Sequence, residues 1–269
     1  LDSLNKVVIE NNQVKSIKKV EVEYNGETEV KNVSAQEVKQ NAEKYYGKNV
    51  NYVASGVTDE EDNNWKIFYS DGDKIYLISS DYMPNKYFSG MGFSTDVSKP
   101  YNVWMTTNRE DLMNRLITNN ANFKDTLEYA ESIMLSPTIE MFCNSWNDFY
   151  PKEKIYCKYV TNGYNAEGYL FGSSENPETY WENISTKTGY GNKLYFPHTL
   201  EYNNCYAYWL TSFPAANLND VISVHHNGNI GYSHNNSVNL GTRPVITLKS
   251  SVQLGELING KYELVEAQS

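Results

Sequence analysis

The run Trp65-Lys66-Ile67-Phe68-Tyr69, the joint Ser70-Asp71-Gly72-Asp73 and the run Lys74 to Ser79 most constrain how this chain can fold. Two short apolar runs separated by Ser, Asp and Gly predict an antiparallel hairpin: Asp and Gly accept turn conformations, and the flanking residues favour strands. The same signature recurs along the chain. Asn-Gly pairs stand at Asn25-Gly26 and Asn227-Gly228, and Tyr occurs 23 times against 9 Phe. Tyr and Asn-Gly turns favour sheets and hairpins over long helices.

Elsewhere the periodicity is mixed. Leu1, Leu4 and Val8 predict a short amphipathic helix over Leu1 to Asn12, or the tail of a longer one. Val20, Val22 and Tyr24 alternate, which predicts a strand within Lys15 to Tyr24 that turns at Asn25-Gly26 into Glu27 to Val33. Ser34 with Glu37 is a capping-box pattern for a helix from Ala35 to about Gly47. Tyr82 to Tyr101 carries Pro84, Gly90, Gly92 and Pro100 and reads as an extended connection between an N-terminal unit, 1–100, and a C-terminal unit, 101–269. Leu112, Leu116 and Ile117, then Phe123, Leu127, Ala130, Ile133 and Met134, predict a helix pair. A further helix, capped by Ser136 with Pro137 at its first position, carries Met141, Cys143 and Trp146. Lys154 to Val160 reads as a strand, and Gly163 to Gly191 as loop with one helical turn near Tyr180-Trp181. The last third predicts strands at Tyr206–Ser212, Val221–His225, Asn229–Tyr232, Thr242–Leu248 and Tyr262–Val265, with Pro244 marking an edge or a bulge.

The 269 residues carry a formal net charge of -10. That balance argues against general nucleic-acid binding, which wants a basic face, and against adhesion to an anionic membrane by charge alone. No stretch of about 20 apolar residues is present to span a bilayer. The chain starts at Leu1 without Met, which suggests trimming of a targeting segment.

Three cysteines, Cys143, Cys157 and Cys205, are the only ones. An odd count leaves open one disulfide with a free thiol, three inert buried thiols, or a tetrahedral site of three thiolates and one imidazole. His198, seven residues before Cys205, is the nearest imidazole in sequence. There is no CxxC knuckle. Other chemistry is weaker. There is no Gly-rich phosphate loop, G-x-S-x-G elbow or H-E-x-x-H pair. His225, His226 and His234 could cluster across a hairpin, against the plainer reading as polar residues flanking a turn. The acids of Thr58 to Asp62 read as a solvated loop, with calcium binding as the alternative. Cys143 or Cys157 as a nucleophile beside His198 lacks any oxyanion feature in support.

Tyr208-Trp209-Leu210-Thr211-Ser212, Val221 to Gly228, Gly241-Thr242-Arg243-Pro244-Val245-Ile246 and Leu248-Lys249-Ser250 resemble a module found on surface proteins and pilin-like proteins of clostridia and other Gram-positive gut bacteria. Trp65 to Gly72, Ile78 to Tyr82 and Ser136 to Met141 belong to the same pattern, so the resemblance runs from about Val50 to Gln253. The chain is most similar to the clostridial type IV minor pilins. That resemblance implies an α+β fold of two pilin-like units, each a helix packed on an antiparallel sheet, with the N-terminal transmembrane helix absent. It implies a structural Zn2+ held by Cys143, Cys157 and Cys205, with His198 as the inferred fourth ligand. The implied role is non-enzymatic: an extracellular subunit of a cell-surface pilus that displays its C-terminal unit for adhesion or aggregation. Its partners would be other pilin subunits and a host or bacterial surface receptor, with no nucleic acid, and with membrane contact only through the missing helix. The alternative is a secreted or surface-anchored, C-type-lectin-like carbohydrate-binding module, with Trp181 and Trp209 as candidate sugar-stacking rings against the plainer reading of Trp209 as core.

Overall fold

The computed structural model describes residues 3–10, 13–21, 32–52, 64–83, 129–162, 167–177, 184–185, 189–201, 204–215, 219–234, 237 and 239–267. The chain divides into two units, Leu1–Lys31 and Asn32–Ser269. In the first unit, β1 (Ser3–Glu10) and β2 (Gln13–Glu21) pair antiparallel, from Ser3 opposite Glu21 to Glu10 opposite Gln13, with an irregularity between Val8 and Ile9. The helix expected over Leu1 to Asn12 is therefore a strand from Ser3 to Glu10. Val7-Val8-Ile9 accounts for the difference, because three successive β-branched residues resist helix and suit a pleated ladder. β2 pairs with β1, and the returning strand expected over Glu27 to Val33 lies mostly outside the described residues.

The second unit is a mixed α+β fold. Its larger sheet has seven strands in the order β15 (Val252–Ile258), β16 (Lys261–Glu266), β3 (Asn49–Asn51), β4 (Asn64–Ser70), β5 (Ile75–Ser79), β14 (Val245–Leu248) and β6 (Ala130–Met134). Only β16 and β3 run parallel. A five-stranded sheet follows the order β13 (Leu240–Gly241), β10 (Ala207–Trp209), β11 (Asp220–His225), β12 (Asn229–His234) and β9 (Ile184–Ser185). A separate ribbon pairs β7 (Tyr156–Val160), on the strand expected over Lys154 to Val160, with β8 (Gly168–Gly172), which lies inside the stretch expected to be loop.

The β4–β5 hairpin forms as its turn residues demand. Asp71 Oδ1 accepts from the backbone N–H of Asp73 at 2.9 Å and of Lys74 at 2.7 Å, and Gly72 takes φ +90°. The boundary expected at 100/101 lies outside the described residues, and strands from both sides of it share the larger sheet. Ala130 to Met134, expected to be helical, pairs instead with β14. There the apolar edge of a sheet outweighs a local helical spacing.

Two short α-helices are present among the described residues, α1 (Ala35–Gln40) and α2 (Ile139–Phe149). Ser34 caps α1, accepting from Glu37 N–H at 3.1 Å, and the helical stretch ends by Gly47 at φ +79°. Thr138, not Ser136, caps α2, accepting from Met141 N–H at 3.1 Å. Ser136 lies outside the helix because its carbonyl is taken by Thr211 Oγ1 at 2.7 Å, while Thr211 N–H donates to Pro137 O at 2.8 Å. No helix among the described residues is long and apolar enough to cross a membrane.

The apolar face of α2 lies on the larger sheet. Phe142 and Trp146 are buried with Trp65, Ile67 and Phe68, and Ser145 Oγ donates to Phe68 O at 2.5 Å. Burying each large ring contributes on the order of 2–3 kcal/mol. Trp209 is fully buried on β10, so it serves the core and cannot stack on a sugar. Trp181 lies outside the described residues.

Candidate functional site

The loop 189–201 is held from below by Arg243. This side chain is fully buried, yet its hydrogen bonds end on backbone carbonyls. Nη2 and Nε donate to Ser79 O at 2.8 and 3.3 Å, and Nη1 donates to Leu194 O at 2.9 Å and Tyr195 O at 3.4 Å. A planar guanidinium can fan several donors across separated acceptors, which a lysine cannot do. Tyr208 closes the arrangement: its hydroxyl donates to Tyr195 O at 2.9 Å, and its ring lies 5.1 Å from the guanidinium carbon. Burial pushes the Tyr208 hydroxyl up to about 12 against the opposing pull of Arg243.

One flank of the loop is aromatic. Gly189 lies so close to the Trp146 indole that a Cβ would collide with the ring carbons, so only glycine lets the loop rest there. Asn192 N–H closes a turn on Gly189 O at 2.9 Å, and Asn192 Nδ2 donates to Tyr150 OH at 2.8 Å. Tyr190 OH donates to Thr199 O at 2.6 Å, and the Tyr190 ring meets Phe196 at 6.4 Å. Trp146 in turn packs on Tyr150 at 4.5 Å and Phe196 at 6.2 Å, and Phe149 on Tyr150 at 4.8 Å. From this ring cluster Tyr190 emerges 42% exposed and Phe149 37% exposed.

The other flank is polar. Asp81 Oδ1 accepts from Tyr82 N–H at 2.6 Å and from His198 Nε2 at 2.6 Å. A carboxylate only accepts, so Nε2 carries the proton of that bond. The pair is partly open, with side-chain exposures of 37% for Asp81 and 20% for His198. The His198 ring also lies 5.3 Å from that of Tyr82. Cys205 is buried close by, and its thiol is pushed up to about 12 by burial and by the charges of Glu201 and Asp81. It follows Asn204, which sits at φ +65° and turns the chain into β10.

The structural zinc site is corrected by this geometry. Cys143 hydrogen-bonds Cys157, whereas Cys205 and His198 adjoin Asp81 and Tyr82. His198 also uses Nε2 as a donor, so that nitrogen offers no lone pair to a metal. Among the described residues, no three His, Cys, Asp or Glu side chains form a group able to hold a metal ion. A zinc-stabilised pilus subunit therefore does not stand, and the zinc and metal-binding assignments fall with it. The cause lies in the fold: Cys143 and Cys157 face each other across an α2–β7 contact, and Cys205 enters a different strand.

The remaining candidates also find plain roles. His226 Nδ1 and N–H both donate to Tyr206 O at 2.8 Å, which fixes its ring beside the turn. His225 Nε2 lies 3.1 Å from Ser223 Oγ, and burial together with His226 pulls the imidazole below its usual range. His234 pairs opposite Asp220, at the other end of the ladder from His225. Most of the acidic stretch Thr58 to Asp62 has no place in the site, since it lies outside the described residues. Of the two thiols considered as a nucleophile beside His198, Cys143 is held protonated by burial and hydrogen-bonds Cys157, whereas His198 bonds Asp81.

Asp81, Phe149, Tyr190 and Arg243 carry no functional signal in the sequence. Gly189 and Gly191 around Tyr190 are the signal that could have found the loop, because two glycines beside an aromatic residue suit a turn that presents a ring. No protein-family model, curated protein or solved structure matches this chain at a significant level.

Proposed function

We propose that this chain is a non-enzymatic binding module that takes a carbohydrate on the surface of the 189–201 loop, without a metal ion. The observation that carries this reading is Tyr190, 42% exposed yet held at its hydroxyl by Thr199 O and packed against Phe196. A ring already held in place offers its face to a sugar at small entropic cost. Phe149 adds a second exposed ring from the same cluster, and Asp81 supplies a partly exposed carboxylate that accepts from sugar hydroxyls. The net charge of -10 favours neutral or cationic glycans over uronic or sulfated polymers.

An extracellular, cell-surface location belongs to the proposal and draws on the resemblance of Tyr208–Ser212 and Gly241–Ser250 to Gram-positive surface modules. A pilin-like reading of the fold draws on the same segments and on α2 lying over β4.

A glycan array probed with the purified chain, followed by titration calorimetry on the best binder, tests the function. The expected result is a bound glycan whose affinity falls about tenfold in Tyr190→Ala, equivalent to roughly 1.4 kcal/mol, and less in Tyr190→Phe. An array without signal, or a Tyr190→Ala variant that binds normally, removes the reading.

A further inference from the structure

We propose that Cys143 and Cys157 form a reversible disulfide, with Cys157 as the entry thiol and Cys205 excluded from the exchange. The fold brings the two together by register. Trp146 Nε1 donates to Glu153 O at 2.7 Å, Asn147 Nδ2 to Ile155 O at 2.7 Å, and Ile155 N–H to Asn147 Oδ1 at 2.7 Å. These bonds clamp the end of α2 to the segment entering β7. From Asn147, one helical turn back along the same face reaches Cys143, a step of about 6 Å. From Ile155, two residues forward, a step of about 6.6 Å, reaches Cys157 in β7, the strand that α2 contacts. The two thiols therefore meet, and they share a hydrogen bond. Both are free in this structure.

Their environments divide the labour. Cys143 is 2% exposed, while Cys157 is only partly buried at the ribbon. Thiol–disulfide exchange needs an accessible thiolate to attack first. The co-reactant is a small-molecule disulfide, RSSR. Cys157 loses its proton and attacks one sulfur of RSSR, which releases one thiolate and leaves Cys157 as the mixed disulfide. Cys143 then loses its proton and attacks Cys157 Sγ, expelling the second thiolate. The two cysteines are oxidised by two electrons, RSSR is reduced to two RSH, and the two protons from Cys143 and Cys157 end on the released thiolates. The second step is the slow one, because burial and the charge of Glu140 still hold Cys143 protonated. Cys205 is fully buried ahead of β10, beside Asp81 and Glu201 and apart from the α2–β7 contact, so it stands outside this exchange.

The test is treatment of the fully reduced chain with oxidised glutathione, followed by thiol titration under denaturing conditions and peptide mass mapping. The expected result is a fall from 3 free thiols to one, with a cross-linked peptide joining Cys143 to Cys157. The thermal midpoint should rise by about 5–10 °C, and dithiothreitol should reverse the change. Cys143→Ser should stop at a glutathione adduct on Cys157, and Cys205→Ser should oxidise as the native chain does. Three thiols remaining in the folded native chain, a native adduct that never closes, or any cross-link through Cys205 overturns the proposal.

Discussion

The Arg243 guanidinium stacks 5.1 Å from the Tyr208 ring while the Tyr208 hydroxyl and Arg243 Nη1 converge on the same carbonyl, Tyr195 O. A buried cation and a phenol thus share one acceptor at the base of the 189–201 loop.

Arg243→Lys should destabilise the fold by about 2 kcal/mol and Arg243→Met by about 3 kcal/mol, because the carbonyls of Ser79, Leu194 and Tyr195 lose donors they cannot replace from water. Urea unfolding followed by tryptophan fluorescence measures this. A loss below about 0.5 kcal/mol in both variants contradicts the role assigned to the guanidinium.

Gly189→Ala should lift the loop from the Trp146 indole, since the added methyl and the ring compete for one space. The expected cost is about 1–3 kcal/mol, the range for overpacking. The change should appear locally, as a red-shifted Trp emission and weaker glycan binding before any global unfolding. An unaltered spectrum with full binding contradicts the contact.

Stability should fall as pH rises above about 9. The Cys205 thiol stays protonated in the fold until about 12, whereas in the unfolded chain it ionises near its ordinary value of 9.0. The unfolded state therefore sheds a proton first, and each such thiol removes up to about 1.4 kcal/mol per pH unit in that window. Cys143 shifts in the same direction through burial. Unfolding midpoints at pH 8 and pH 10 (round working values, about one unit either side of the thiol's ordinary pKa) should differ less in the Cys143→Ala, Cys205→Ala double variant. An equal difference contradicts the burial of the thiols.

His225 predicts a loss at the acid side. Its folded pKa lies below the ordinary 6.5, chiefly through burial. The stability it contributes is present above 6.5 and is lost as pH falls through the folded value, because the unfolded chain takes up the proton first. His225→Gln should flatten the melting-temperature profile below pH 6.5. A variant profile parallel to that of the native chain contradicts this.

Local signals were legible where the turn chemistry is self-contained. Asp71-Gly72, Asn227-Gly228 and the Ser34 cap each satisfy backbone groups within a few residues, and each forms as its residues predict. Ala130 to Met134 was not legible, because its strand character depends on β14, a partner more than 100 positions away. Ser136 reads as a cap in the sequence, but Thr211, 75 positions on and just past β10, takes its carbonyl. The cysteines illustrate the same limit. Their spacing carries no geometry, and only the clamp of Asn147 on Ile155 decides which two meet. Arg243 sits in a recognisable motif, but its acceptors come from distant Ser79 and Leu194.

The parallel seam between β3 and β16 sets a timetable. Asn51 Nδ2 donates to Glu263 Oε1 at 2.8 Å across 212 positions, and Asn49 sits opposite Lys261. On a ribosome adding roughly 5–20 residues each second, β3 waits on the order of ten seconds or more for its neighbour. The β4–β5 hairpin can zip at once, so through that interval a nascent chain carries a formed hairpin beside a bare strand edge. Such an edge invites pairing with other chains. Synthesis therefore leaves a window in which that edge is open to wrong pairing, and a fragment ending before β16 never closes it.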